Sequence, residues 1–281
     1  MGAGSAVPAT VVDNDALGQV VETSDEWIRT RTGIRERRLA TGPNALTELA
    51  ATAARKALAM AALDAAELDL IVLATSSPDD LFGSAASIQK ALGAEKAVAF
   101  DLTAACSGFV FGLVAAAQFI RTGTYQNVLL IGADILSRWV DWSDRRTCVL
   151  FGDGAGAVVL QANSETDGLL GFELRSDGGL SHTLNLSYEG EEQPLRAGAQ
   201  LDATVNRGAY APIMMQGKEV YRFAVKRVPE VISKALFKAN LDASQLDWLL
   251  LHQANQRIMD AVAQRLQIPS DRVLSNVAKY G

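Results

Sequence analysis

The feature that most constrains this chain is an internal repeat. KALAMAALDAAELDLIVL at 56–73 aligns without a gap to KALFKANLDASQLDWLLL at 234–251, at an offset of 178, with ten of eighteen positions identical. Two helices can converge on Ala and Leu, but the shared LDA..LD between helix and strand is harder to reach by chance. A unit that cannot bury its own apolar face alone calls for a second copy to pack with. The repeat therefore predicts a duplicated βα fold with two similar halves, at 1–165 and 166–281.

The rest of the chain follows the same alternation. Apolar runs of strand character recur at LDLIVLATSS (68 on), AVAFDL (97 on), NVLLIGADI (127 on), AGAVVLQA (155 on) and LDWLLLHQA (246 on). Ala-rich helical stretches lie among them at 45–62, 84–92, 106–121, 218–239 and 255–266. Nearly continuous apolar strands alternating with helices read as an α/β protein whose sheets are covered on both faces. The polar segment 177–211 reads as a surface excursion between the halves, and the opening MGAGSAVPAT as a turn-like start with no strand before it. In the first copy the path runs through helix 84–92 and strand 97–102 to Cys106. In the second it runs through helix 255–266 and DRVLSNVAKYG, placing the counterpart of Cys106 at about residue 281. The second half is thus expected to be truncated at its last helix, short by roughly 55 residues.

Composition narrows the function. At 281 residues and 49% hydrophobic content the chain can bury a large core. A formal net charge of -6 argues against a nucleic-acid binder. Two cysteines, Cys106 and Cys148, show neither disulfide-scaffold nor metal spacing and fit a reducing compartment. With no basic-apolar leader and no apolar run of spanning length, the expectation is a cytoplasmic protein without a membrane segment and without a metal.

Catalytic groups in βα units collect at the carboxyl ends of strands. Cys106 follows such an end and opens the predicted helix 106–121, where free N–H groups and the helix dipole would lower a thiol pKa and form an oxyanion hole. Cysteine is more often simply buried. Its small neighbours Ala104, Ala105, Ser107 and Gly108, however, leave the sulfur approachable. His252 ends the strand of the second copy, mirroring Ala74, and a Cys–His pair assembled by the fold is a usual arrangement for thiol acyl chemistry. In TSDEWIRTR, Thr23 and Glu26 have capping-box spacing. Trp27 and Arg31 then share one helix face, a pairing suited to an adenine and a nearby phosphate. FGDGAGA (151–157) is weak as a phosphate loop. Lys218, Arg222 and Lys226 recur every four residues, a solvated or docking face. Cys148, in the predicted strand TCVLFG, reads as inert core.

DLTAACSGF, HQANQRI, TSDEWIRTRTGIRERR and LFGDGAGAVVL, in this chain's arrangement, resemble β-ketoacyl-acyl-carrier-protein synthase III, the initiating condensing enzyme of type II fatty-acid synthesis. The resemblance runs to Gly281 and implies the thiolase fold: two duplicated halves in five αβαβα layers, forming a homodimer. It implies that Cys106 takes acetyl from acetyl-CoA as a thioester, with no cofactor. His252 and an asparagine would then act on malonyl acyl-carrier protein. That asparagine follows a stretch like VAKYG, so its expected place is immediately beyond Gly281. The resemblance further implies CoA contacts at Trp27, Arg31 and Arg145, with Asn255 ordering the loop after His252. Carrier-protein docking falls to Arg222, Arg257 and Arg265. Phe82 would cap the neighbouring subunit's acyl pocket and favour a short primer, and the Gly-rich 151–157 would be a tight turn. Two alternatives stay open: a related thiolase-fold starter ketosynthase using malonyl-CoA, and an inactive fragment lacking the asparagine helix.

Overall fold

The elements run β1 (Gly2–Ala6), β2 (Thr10–Asp13), α1 (Asn14–Leu17), α2 (Asp25–Thr32), β3 (Glu36–Leu39), α3 (Ala45–Ala61), β4 (Leu70–Ala74), α4 (Ala85–Leu92), β5 (Val98–Leu102), α5 (Gly108–Arg121), β6 (Asn127–Ile135) and β7 (Asp153–Gln161). They continue as β8 (Leu184–Asn185), β9 (Tyr188–Leu195), β10 (Ala203–Tyr210), β11 (Met214–Met215), α6 (Gly217–Lys238), β12 (Leu249–Leu250), α7 (Gln256–Leu266), β13 (Val273–Leu274) and α8 (Val277–Tyr280). The computed structural model describes residues 2–165, 167–195 and 203–281.

Five strands form one sheet in the order β1-β7-β6-β4-β5. β4 runs parallel to β5 and β6, while β7 is antiparallel to β6 and β1. Every residue of β4 is buried, as a central strand covered on both faces must be. On one face α3 and α4 bring Leu46, Ala50 and Ile88 against Ile71, Leu73, Leu129 and Ile131. On the other, α5 packs Leu113 and Ala116 over Leu70, Val72, Val128 and Leu130. Each such buried Leu or Ile contributes about 2 kcal/mol.

The chain's start is a strand, not the turn its composition suggested. GAGSA pairs along its length with β7, Gly2 opposite Val159 and Ala6 opposite Ala155. Its small residues have a packing reason: a Cβ on Gly2 or Gly4 would collide with the carbonyls of Ala57 or Ala53 on α3. Two further local readings are corrected. The Gly-rich run 151–157 is no turn between strands, because from Asp153 on it forms β7 itself. Cys148 is fully buried, as expected, but in a succession of turns rather than a strand.

The duplication is visible in three places. α6, β12, α7 and β13 repeat α3, β4, α4 and β5, and the parallel pair β12–β13 matches β4–β5. In both copies a short 3-10 turn joins helix to strand. The N–H of Asp64 donates to Glu67 Oε2 (3.2 Å) and that of Asp242 to Gln245 Oε1 (2.7 Å). Gly171 lies against α6 as Gly2 lies against α3: a Cβ there would meet the Ala235 carbonyl and the Ala239 N–H, the atoms 178 residues after those facing Gly2. The strand registers refine the equivalence. Leu249 opposite Val273 corresponds to Ile71 opposite Ala99, so the second crossover is four residues shorter and the counterpart of Cys106 is Tyr280. β12 and β13 hold two residues each, less than the apolar run predicted, and among the described residues they pair only with each other. The polar excursion forms an exposed hairpin, β9–β10, and its residues 196–202 lie outside the described set.

Candidate active site

Cys106 sits on a strained elbow. β4 and β5 end together, Thr75 N–H donating to Leu102 O (3.1 Å) and Thr103 Oγ1 to Thr75 O (2.9 Å). The chain then turns through Ala105, whose φ of 46° is left-handed, a conformation that costs a non-glycine residue about 1–2 kcal/mol. Cys106 follows in the 3-10 turn Ala105–Ser107, so α5 starts at Gly108, two residues later than predicted. Gly108 lets the helix close onto Ala74, where a Cβ would stand 3.2 Å from the alanine methyl. The result is an exposed thiol at the carboxyl ends of β4 and β5. An open cleft of about 510 Å³, lined by Thr103, Ala104, Ser107 and Phe111, lies beside it.

The electrostatics of the thiol differ from expectation. Burial by surrounding atoms, and secondly the Asp134 carboxylate, push Cys106 above the ordinary thiol range, only partly offset by a hydrogen bond from its own backbone N–H. The intervening 3-10 turn separates the sulfur from the first N–H groups of α5, which weakens the dipole effect anticipated. Asp134, on β6, accepts at Oδ1 from Thr75 Oγ1 (3.1 Å), Ser76 N–H (2.8 Å) and Ser77 Oγ (2.8 Å). Burial raises its carboxyl nonetheless.

His252 stands at the carboxyl end of β12, the position of Ala74 in the first copy. Its side chain is solvent-accessible, and the atoms crowded around it lower its pKa by desolvation. The neighbouring Gln253 fixes this end of the strand, donating to Leu251 O and Leu274 O and accepting from Asn276 N–H. No hydrogen bond joins Cys106 to His252 among the described residues. Asn255 caps α7 by accepting from Arg257 N–H (2.9 Å) and donates to Arg31 O (3.1 Å). It therefore ties the helix after His252 to α2.

The three residues expected to contact CoA converge. The Arg31 guanidinium lies 5.0 Å from the Trp27 ring centre and that of Arg145 lies 5.4 Å from it. Arg145 also donates to Glu22 O (3.0 Å). The cap of α2 is Ser24, not Thr23: Ser24 Oγ accepts from Trp27 N–H at 3.2 Å. Thr23 lies one residue outside, its hydroxyl buried and without a partner. Arg222 pairs with Glu219 (2.7 Å), Arg257 lies over Tyr221 (5.6 Å), and Arg265 donates to Val225 O (3.2 Å). These three exposed arginines mark the common face of α6 and α7. Phe82 is 99% exposed and Leu81 80%. Among the described residues no group of His, Cys, Asp and Glu could hold a metal. None of their helices is long and apolar enough to cross a membrane. The sequence reading missed Asp134 and the Asn255 bridge to Arg31, because neither pairing has a local sequence signature.

A cysteine elbow at the strand ends of a duplicated αβ fold defines a class: thiolase-fold, acyl-transferring condensing enzymes. Two family models match this chain, 3-oxoacyl-[acyl-carrier-protein] synthase III over residues 100–178 and its C-terminal part over 236–281. The β-ketoacyl-[acyl-carrier-protein] synthase III of Nostoc sp. is 67% identical over 280 residues, covering 100% of this chain and 83% of the relative. The 3-oxoacyl-[acyl-carrier-protein] synthase III of Aquifex aeolicus superposes with a TM-score of 0.89 at 41% identity, covering 100% of this chain and 84% of that one. The priming β-ketosynthase of the R1128 polyketide pathway has a TM-score of 0.84 at 31% identity, covering 100% and 81%. The chain belongs to the β-ketoacyl-acyl-carrier-protein synthase III family, cofactor-independent condensing enzymes that start fatty-acid synthesis.

Proposed function

We propose that this chain carries out the decarboxylating Claisen condensation of acetyl-CoA with malonyl acyl-carrier protein. The Ala105–Cys106 elbow carries the reading, because it holds an exposed thiol at the strand ends with small residues around it. The Cys106 sulfur attacks the acetyl carbonyl, the C–S bond to CoA breaks, and the thiol form of CoA leaves. The malonyl group then loses CO2, and the resulting enolate carbon attacks the acetyl-Cys106 carbonyl. The Cys106–acetyl bond breaks to give acetoacetyl carrier protein and the free enzyme. His252, held neutral by desolvation, donates an N–H hydrogen bond to the enolate oxygen.

Trp27 with Arg31 and Arg145 receives the adenine and phosphates of CoA, and Asn255 keeps α2 and the His252 loop in fixed relation. The arginines at 222, 257 and 265 dock the acidic carrier protein despite the net charge of -6. β5 forms one edge of the main sheet, and with exposed Val98, Leu81 and Phe82 beside it this side suits a homodimer. In that dimer Phe82 caps the partner's acyl pocket and favours a short primer. We place the protein in the cytoplasm and its two halves at 1–165 and 166–281. Relatives at 59–67% identity are named for the acyl-carrier protein, which favours the carrier protein over a malonyl-CoA extender.

The test uses the first half-reaction. Intact-mass spectrometry after mixing with acetyl-CoA should show one acetyl adduct on the native chain and none on Cys106→Ser. An equal adduct on the Ser variant would remove Cys106 from the mechanism.

A further inference from the structure

Arg37 on β3 is 0% exposed. Among the described residues no carboxylate ion-pairs with it, Asp13 and Glu36 acting only through space; Nε has no hydrogen-bond partner, and the Nη donors meet neutral groups. A guanidinium buried without a counter-ion is costly, so its contacts call for a reason. Nη1 donates to Val12 O (3.0 Å), and Nη2 to Asn14 Oδ1 (2.7 Å) and Val149 O (3.4 Å). Asn14, itself buried, passes the connection on through Nδ2, which donates to Asp25 Oδ1 (2.9 Å) and Ile34 O (2.8 Å). Asp25 is the first residue of α2, the helix carrying Trp27 and Arg31. Val149 lies four residues after Arg145, in the same succession of turns. Arg37 thus has one arm on each wall of the Trp27–Arg145 stack.

We propose that Arg37, with Asn14 as its relay, is a positioning residue that sets the spacing between α2 and the Arg145 segment, and so the affinity for the nucleotide end of the thioester substrate. This rests on Trp27, Arg31 and Arg145 being the nucleotide clamp. The planar fork explains why arginine stands here, since one rigid group reaches three acceptors in different directions, which a lysine ammonium does not. Arg37 touches no substrate and acts through the two walls it ties.

The experiment compares acetyl-CoA with acetyl-N-acetylcysteamine, which carries the same reacting thioester and no nucleotide. The concentration dependence of Cys106 acetylation is followed by intact mass. Arg37→Lys should raise half-saturation by acetyl-CoA about tenfold, the loss of one or two charge-assisted hydrogen bonds, while leaving the short thioester unaffected. Asp25→Ala removes a half-exposed side chain and cuts the α2 arm without opening the core. It also removes the Asp25–Arg29 pair (3.4 Å), which Arg29→Ala removes alone as the control that should leave acetyl-CoA saturation unchanged. Asp25→Ala should act in the same direction as Arg37→Lys, by about threefold. Trp27→Ala is the reference for the clamp itself. If Arg37→Lys and Asp25→Ala impair both thioesters equally, the tie is merely structural and the proposal falls. If Trp27→Ala discriminates between the thioesters and neither tie variant does, the clamp stands and the proposal falls alone. If Trp27→Ala also impairs both equally, the clamp reading is what fails. Should Arg37→Lys not fold, Asp25→Ala decides, and an unchanged response to acetyl-CoA overturns the proposal.

Discussion

The proposed reactivity of Cys106 rests on its position rather than on a low resting pKa. Burial and the Asp134 carboxylate both favour the neutral thiol, so its alkylation should accelerate only above the pH at which a free cysteine reacts. Asp134→Asn tests the second cause, because the hydrogen bonds from Thr75 Oγ1, Ser76 N–H and Ser77 Oγ fall on Oδ1, an acceptor that asparagine keeps. Removing a negative charge eases thiolate formation, so the pH profile of iodoacetamide labelling should move to lower pH. An unchanged profile would show that the charge does not reach the sulfur. Cys148 is fully buried and should stay unlabelled in the native protein, with Cys106→Ser as the blank. Cys106 was legible because it stands at a strand-to-helix junction among small residues, and His252 because it ends the repeated strand at the place of Ala74. Asp134 was not, since only the β4–β6 pairing brings it beneath Thr75 and Ser76.

Helix and strand boundaries were readable wherever the apolar period was long, as in α3 and α6, and misread where tertiary packing set the local conformation. β1 is the clearest case. Its GAGSA has no strand propensity to speak of, yet it completes the sheet because only glycine allows α3 to sit so close. Gly4→Val should therefore drive a side chain into the α3 backbone and cost about 3 kcal/mol or more, lowering the melting temperature by on the order of 10 °C. Gly156→Ala on the adjacent strand β7 meets nothing within 4 Å, and should shift melting by less than about 2 °C. Differential scanning calorimetry of the two variants separates the close-packing account from general intolerance of change in this sheet. A similar lesson comes from α2, where Thr23 and Ser24 are both capable caps. The entry path of the chain, not the residue type, selected Ser24.

At the level of the whole molecule, the exposed Leu81 and Phe82 stand on a loop pinned from both sides. Asp79 accepts from Thr47 N–H and Oγ1 at the start of α3 and pairs with Arg138 (2.9 Å), while Asp101 accepts from the N–H groups of Ser84 and Ala85. Two large apolar side chains on a pinned loop need little further backbone ordering when a partner covers them. Phe82→Asp should convert the proposed homodimer into monomer in sedimentation velocity, while leaving the far-ultraviolet circular dichroism unchanged. A dimer that survives the change would place the subunit contact elsewhere.

The sequence by itself determined the duplicated αβ fold and the order of its repeated elements. It also singled out Cys106, at a strand-to-helix junction, and His252, at the end of a repeated strand. Those readings rest on period, spacing and repetition, which are local or self-referential properties of a chain. Only the tertiary structure decided that the glycine-rich start is a strand and that the turn before Cys106 is left-handed. It likewise decided that a buried arginine joins the two walls around Trp27. Each of these depends on contacts between residues distant in the chain: Gly4 with Ala53, Ala74 with Gly108, Arg37 with Val149. Such contacts leave no period to read, because the energy that selects them comes from packing and from satisfying buried polar groups after the elements have met.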